Sequence, residues 1–183
     1  MTTTNTPQFA VAYTAPGQNA NNAPTLNVLG MQTGIKLTHA QTYGQFSCME
    51  QHMAPYQMGP PPHIHYELDE IMYVLEGTIT LLEGDQTREV SAGGWHFRPR
   101  GVVHTFWNAH DAPVKFIDMY PGTQDFVHFL EELADLGAAI HAEGANPFAP
   151  ESIARFKALD AQYNHEVFYE QMPEFMAKYG PKM

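Results

Sequence analysis

The sequence predicts an all-β domain, an antiparallel sandwich or barrel, with a helical extension at its C-terminal end. Three observations predict it. Short β-type runs recur between Gly and Pro turn signals from about residue 25 to residue 120. After Pro121-Gly122 the apolar spacing changes from two residues to three and four. At 183 residues the chain fits one domain, whose core needs neither disulfides nor structural zinc.

Residues 1–24 are rich in Thr, Asn, Pro and Gly without hydrophobic periodicity, and read as an N-terminal arm that can pack on a neighbour. Residues 25–120 form the predicted barrel, with strands over 34–39, 44–50, 71–75, 78–82, 95–97, 103–107 and 114–120. The turns at Glu76-Gly77 and Glu83-Gly84-Asp85 flank 78–82 as one hairpin strand. Residues 121–183 form the extension packed on the barrel. Phe126, Phe129, Leu130, Leu133 and Leu136 mark an amphipathic helix ending near Gly137 or a few residues later, 152–162 a second, and Pro173 opens a third. No internal repeat is visible, so a second barrel is not expected.

Nine basic against twenty acidic residues leave a formal charge of -11, which repels nucleic-acid backbones and anionic membranes. No apolar run approaches the roughly 20 residues of a spanning helix. The start, Met1-Thr-Thr-Thr-Asn, lacks the features of a secretion signal, and the lone Cys48 cannot form an internal bridge; a cytoplasmic address is expected.

Ten histidines are many for this length, and their spacing decides which matter. His63 and His65 stand two apart in an extended run after Gly59-Pro-Pro-Pro, so their imidazoles share one face. Glu70 lies far enough along for the chain to return a carboxylate to the same point. The turn at Pro99-Arg-Gly101 then carries His104 inward, with Phe106 on the same face. Alternation from an inward Glu70 sends Met72 and Val74 inward too. Phe46, Cys48 and Ile117 complete a mostly apolar expected substrate pocket.

These segments resemble the two signature motifs of the cupin superfamily. His63-Ile-His65, four residues, Glu70, six residues and Gly77 match the first; Gly93, five residues, Pro99, one, Gly101, two, His104, three and Asn108 match the second. Gly59 stands closer to the first histidine than the usual leading glycine, and the fifteen residues between Gly77 and Gly93 suit a compact bacterial-type barrel. The resemblance implies a double-stranded β-helix, or jelly roll, with one divalent metal held by His63, His65, Glu70 and His104. Three imidazoles and a carboxylate suit iron, nickel, manganese, cobalt, copper or zinc, with a position left for water or substrate.

The remaining candidates read as structural. His96 is expected at the surface or core edge, and His39, His52, His110, His128, His141 and His165 as ordinary histidines. Glu67 and Asp69 read as solvated turn carboxylates, Cys48 as a small apolar filler rather than a nucleophile, and Arg98 and Arg100 as surface ion-pair partners.

Within the superfamily the chain resembles single-domain bacterial proteins related to quercetin dioxygenases. That implies a flavonol-like or other enolizable small molecule bound through oxygen, Glu70 as both ligand and base, and dioxygen as co-substrate. Non-redox isomerase, lyase or cyclase chemistry at the same metal, and a non-catalytic small-molecule-binding barrel, are the alternatives. A homodimer is expected from pairing of open sheet edges.

Overall fold

The computed structural model describes residues 12–122 and 124–180; the first eleven residues of the expected arm lie outside the described residues. The strands are β1 (Leu26–Val28), β2 (Met31–Leu37), β3 (Phe46–Met53), β4 (His63–His65), β5 (Glu70–Glu76), β6 (Thr78–Glu83), β7 (Gln86–Ser91), β8 (Trp95–Arg98), β9 (His104–Trp107), β10 (Val114–Pro121) and β11 (His165–Val167). Among the described residues three α-helices follow the tenth strand: α1 (Phe126–Ala142), α2 (Pro150–Gln162) and α3 (Met172–Tyr179). The strands form two antiparallel sheets of a jelly roll, ordered β1-β2-β3-β10-β5-β8 and β11-β4-β9-β6-β7.

Period-two burial sets the sheet faces. On β10, Val114, Phe116, Asp118 and Tyr120 are buried while Lys115, Ile117 and Met119 are only partly so. β3 turns Ser47, Met49, Gln51 and Met53 inward. Met72, Val74, Ile79, Leu81 and Phe116, none of them measurably exposed, fill the space between the sheets. Burying each of such side chains contributes about 1.5–3 kcal/mol relative to exposure.

Gly77 does not close a hairpin as expected. It takes φ +77°, and a Cβ there would stand 2.6 Å from the Pro113 carbonyl oxygen. Only glycine fits this corner, where the chain leaves β5 in one sheet for β6 in the other. β6 hairpins with β7 alone, in register from Thr78↔Ser91 to Glu83↔Gln86.

The extension wraps the barrel. Phe126, Phe129, Leu130 and Leu133 of α1 pack into one cluster with Val28, Met49, Phe156 of α2 and Tyr169. α3 sets Met172 and Phe175 on Leu82 and Trp107 of the five-stranded sheet. Between α2 and α3 lies the unexpected β11, which pairs with β4 as His165↔His65 and Val167↔His63. No helix among the described residues is long and apolar enough to cross a membrane.

The alternation corrects part of the expected pocket. Phe46, Cys48 and Ile117 fall on the outward, partly buried positions of β3 and β10, because each strand's inward set is one residue out of step with them. Burial and the neighbouring Asp118 push the Cys48 thiol up to about 11. At pH 8 the thiolate is then roughly a hundredfold scarcer than for an ordinary cysteine. Labelling of the native protein by a disulfide reagent is expected to be slower than that of the urea-unfolded chain by about that factor; equal rates would contradict the assigned environment.

Candidate metal centre

Three strands deliver the site. His63 and His65 leave β4 on its inward face, Glu70 opens β5, and His104 opens β9 directly opposite His63 in the register. All four are buried, at 7, 2, 3 and 1 % exposure. The His63 ring centroid lies 5.0 Å from that of His65 and 4.4 Å from that of His104. His65 Nε2 is 3.0 Å from Glu70 Oε1, and His104 Nε2 is 3.4 Å from Glu70 Oε2. One ligand atom from each residue lies within 4.8 Å of all the others.

Backbone carbonyls orient two of the rings. His63 Nδ1 donates to the Pro61 oxygen at 2.8 Å and His104 Nδ1 to the Val102 oxygen at 2.9 Å, which leaves each Nε2 as the lone-pair nitrogen. His65 Nε2 and His104 Nε2 are buried without a hydrogen-bond partner. Orphaned buried nitrogens are costly unless a ligand satisfies them. Burial, and the adjacent His104 and His65, hold His63 well below the usual histidine range, and burial lowers His65 as well. Neutral imidazoles beside a carboxylate are the donor set a divalent transition metal takes. The residues therefore fit such an ion.

Arg98 overturns its expected surface role. It is not measurably exposed at the side chain, and it pairs in register with Glu70. β8 points Trp95 and Phe97 outward and His96 and Arg98 inward, the reverse of what their hydrophobicity suggests. Arg98 Nε donates to Glu70 Oε2, and its Nη2 donates to Asp118 Oδ1 at 2.7 Å. Burial alone would raise the Glu70 carboxyl, but the Arg98 guanidinium, with His104 and His65, holds it well below the usual carboxylate range. Asp118 goes the other way, pushed up to about 6 by burial despite Arg98. Gln51 Nε2 donates to its second oxygen at 3.2 Å.

Beside the ligands lies a cavity of about 70 Å³ lined by His63, His65 and Glu70 and by residues of α1 and β11. Of the expected pocket residues, Phe106 lines it, whereas Met72 and Val74 lie deeper, in the packed barrel core. His165, read from sequence as ordinary, lines it too, with Asp160. A larger groove of about 690 Å³ lies outside, and Leu29, Pro61 and Tyr169 border both spaces.

The other candidates take structural places. His96 is a core-edge residue with Nε2 3.1 Å from Glu83 Oε2. Arg100 and Asp69 form an exposed ion pair at 2.7 Å. Away from the centre, His39 and His52 hydrogen-bond the Gly122 carbonyl and Glu50, and His110 and His128 lie near Glu89 and Glu131. His141 borders the outer groove. Asn108 pins the loop before β10 by donating to the Ala54 and Ala112 oxygens, both at 2.8 Å.

The comparisons agree with the topology. Residues 49–120 match the family described as the cupin domain. The chain resembles cupins over that stretch. It is 32% identical over 117 residues to germin-like protein 5-1 of Oryza sativa subsp. japonica, a match covering 59% of this chain and 46% of that protein. The chain thus spans about half the length of this curated relative. KdgF from Halomonas sp. shares the cupin fold at 18% identity and a TM-score of 0.51, covering 62% of this chain and 99% of that one. The polyketide cyclase RemF from Streptomyces resistomycificus is 28% identical with a TM-score of 0.45, covering 54% and 68%.

Proposed function

We propose that this protein is a metal-dependent enzyme that binds a small enolizable substrate through oxygen at the centre of His63, His65, Glu70 and His104, and that its reaction is a dioxygenation. The observation that carries the reading is the convergence of four buried ligand atoms beside a cavity with space for a reacting group. A divalent transition metal there supplies Lewis acidity and, where redox-active, the electron transfer that dioxygen chemistry requires.

The residues around the centre refine the roles. Arg98 Nε holds Glu70 Oε2 by a hydrogen bond, and Oε1 stands 3.0 Å from His65 Nε2. That arrangement favours Glu70 as a held ligand over the expected second role as a departing base. The inner cavity measures about 70 Å³. It suits the reacting end of a substrate; the body of a flavonol would lie in the groove beyond Leu29, Pro61 and Tyr169. The engaged Glu70 equally supports a second reading, Lewis-acid isomerase, lyase or cyclase chemistry in which the carboxylate never leaves the metal. We carry the homodimer in the same proposal, with the edge strand β8 and its outward Trp95 and Phe97 as the pairing edge.

The test is elemental analysis of untagged protein followed by oxygen uptake with flavonols and small diketones. Bound iron, nickel, manganese, cobalt or copper with substrate-dependent uptake is the expected result. Metal without uptake shifts the reading to non-redox catalysis, and a protein that refuses reconstitution leaves only a binding barrel.

A further inference from the structure

The C-terminal extension brings a second polar group to the same cavity. β11 pairs with β4 so that His165 stands opposite His65, and their ring centroids are 5.1 Å apart. His165 Nε2 lies 3.1 Å from Asp160 Oδ1, and the other Asp160 oxygen accepts the Tyr169 hydroxyl at 2.9 Å. All three are buried: His165 at 6 %, Asp160 at 2 % and Tyr169 at 7 %. They line the cavity that holds the face of the metal centre, yet none belongs to residues 49–120.

The chemistry fixes the polarity of the ring. A carboxylate accepts hydrogen bonds and donates none, so the 3.1 Å contact places the hydrogen of the neutral ring on the nitrogen facing Asp160 and leaves Nδ1 with the lone pair. Nδ1 and the Asp160 Oδ1 that Nε2 approaches are both buried without a hydrogen-bond partner. A buried acceptor left empty destabilises the fold, and burying a carboxylate to orient it adds to that cost. Phe129 stands edge-on to the ring at 4.5 Å, so packing as well as Asp160 holds its plane.

We propose that His165 is a substrate-binding residue, oriented by Asp160 and Tyr169, whose Nδ1 accepts a hydrogen bond from a hydroxyl of the molecule at the metal centre. The substrate class is then a small hydroxy-carbonyl or hydroxy acid, gripped at two points: a carbonyl or carboxylate oxygen at the centre and a hydroxyl at His165. This rests on the proposed substrate-binding role of the centre. It adds a selectivity that the four ligands do not supply.

Two measurements test it. In long-range proton–nitrogen NMR of metal-free protein, His165 is expected as the Nε2–H tautomer; a hydrogen on Nδ1 overturns the proposal whether or not the centre takes metal. In cobalt-loaded protein, glycolate and acetate are compared as probes by calorimetry in wild type, His165→Phe and His165→Asn. The preference for glycolate is expected to fall about tenfold in His165→Phe at unchanged cobalt content, and to recover in part in His165→Asn, whose amide oxygen can stand near Nδ1. An unchanged preference in His165→Phe overturns the assignment and leaves the metal reading intact. Failure of every form to take cobalt defeats the metal reading instead, and the tautomer then decides whether His165 offers the acceptor.

Discussion

Arg98→Leu is expected to lower the stability of the metal-free protein by about 3–5 kcal/mol, the loss associated with removing one partner from a buried ion pair. Arg98 is the cation that joins two buried acids, holding Glu70 with Nε and Asp118 with Nη2. Without it two carboxylates face each other in the barrel. Adding Asp118→Asn to that variant is expected to restore part of the loss, since one orphaned charge disappears. The loss is also expected to shrink from pH 8 to pH 5. Asp118 is pushed up to about 6 even beside Arg98, well above its ordinary 3.8. The folded chain therefore binds a proton that the unfolded chain does not, and stability from this group rises as pH falls through that window. Urea unfolding at the two pH values measures both effects. A loss below 1 kcal/mol at pH 8, or a loss growing toward pH 5, would contradict the network.

His104→Ala is expected to reduce metal occupancy of untagged protein to less than about a tenth of the wild-type value, while Glu70→Gln weakens it and retains more. His104 supplies a buried Nε2 with no other partner, held by the Val102 carbonyl and facing His63 across the β4–β9 pair. Removing it leaves three donors and an empty space. Glu70→Gln keeps an oxygen donor but surrenders the anionic charge that a divalent ion favours, and it leaves Arg98 with Asp118 as its acid partner. Elemental analysis, with circular dichroism to establish folding, reads the outcome. Full occupancy in a folded His104→Ala protein would remove His104 from the ligand set.

The resemblance of the two motifs to cupin signatures made the jelly roll legible, and a strand's period of two, written directly into residue spacing, made the His63, His65, Glu70 and His104 cluster so. The same rule explains the failures. On β8 it allows two phases, and large aromatics at Trp95 and Phe97 suggest the wrong one; register with Glu70 selects the phase that buries Arg98. On β3 and β10 the inward set is Ser47, Met49 and Gln51 and then Phe116, Asp118 and Tyr120, so Cys48 and Ile117 face away from the expected pocket. β7 buries Val90 alone and owes its existence to pairing with β6.

By itself the sequence determined the fold class, the helical extension and which four side chains can meet, since these follow from local periodicity and from spacing within two short segments. Only the tertiary structure decided what surrounds them. Arg98 and Asp118 are twenty residues apart, and His165 is a hundred residues from His65 in a three-residue strand with no local signal. Such long-range neighbours are selected by the packing of whole sheets and helices, whose cooperative burial outweighs any one residue's preference for solvent.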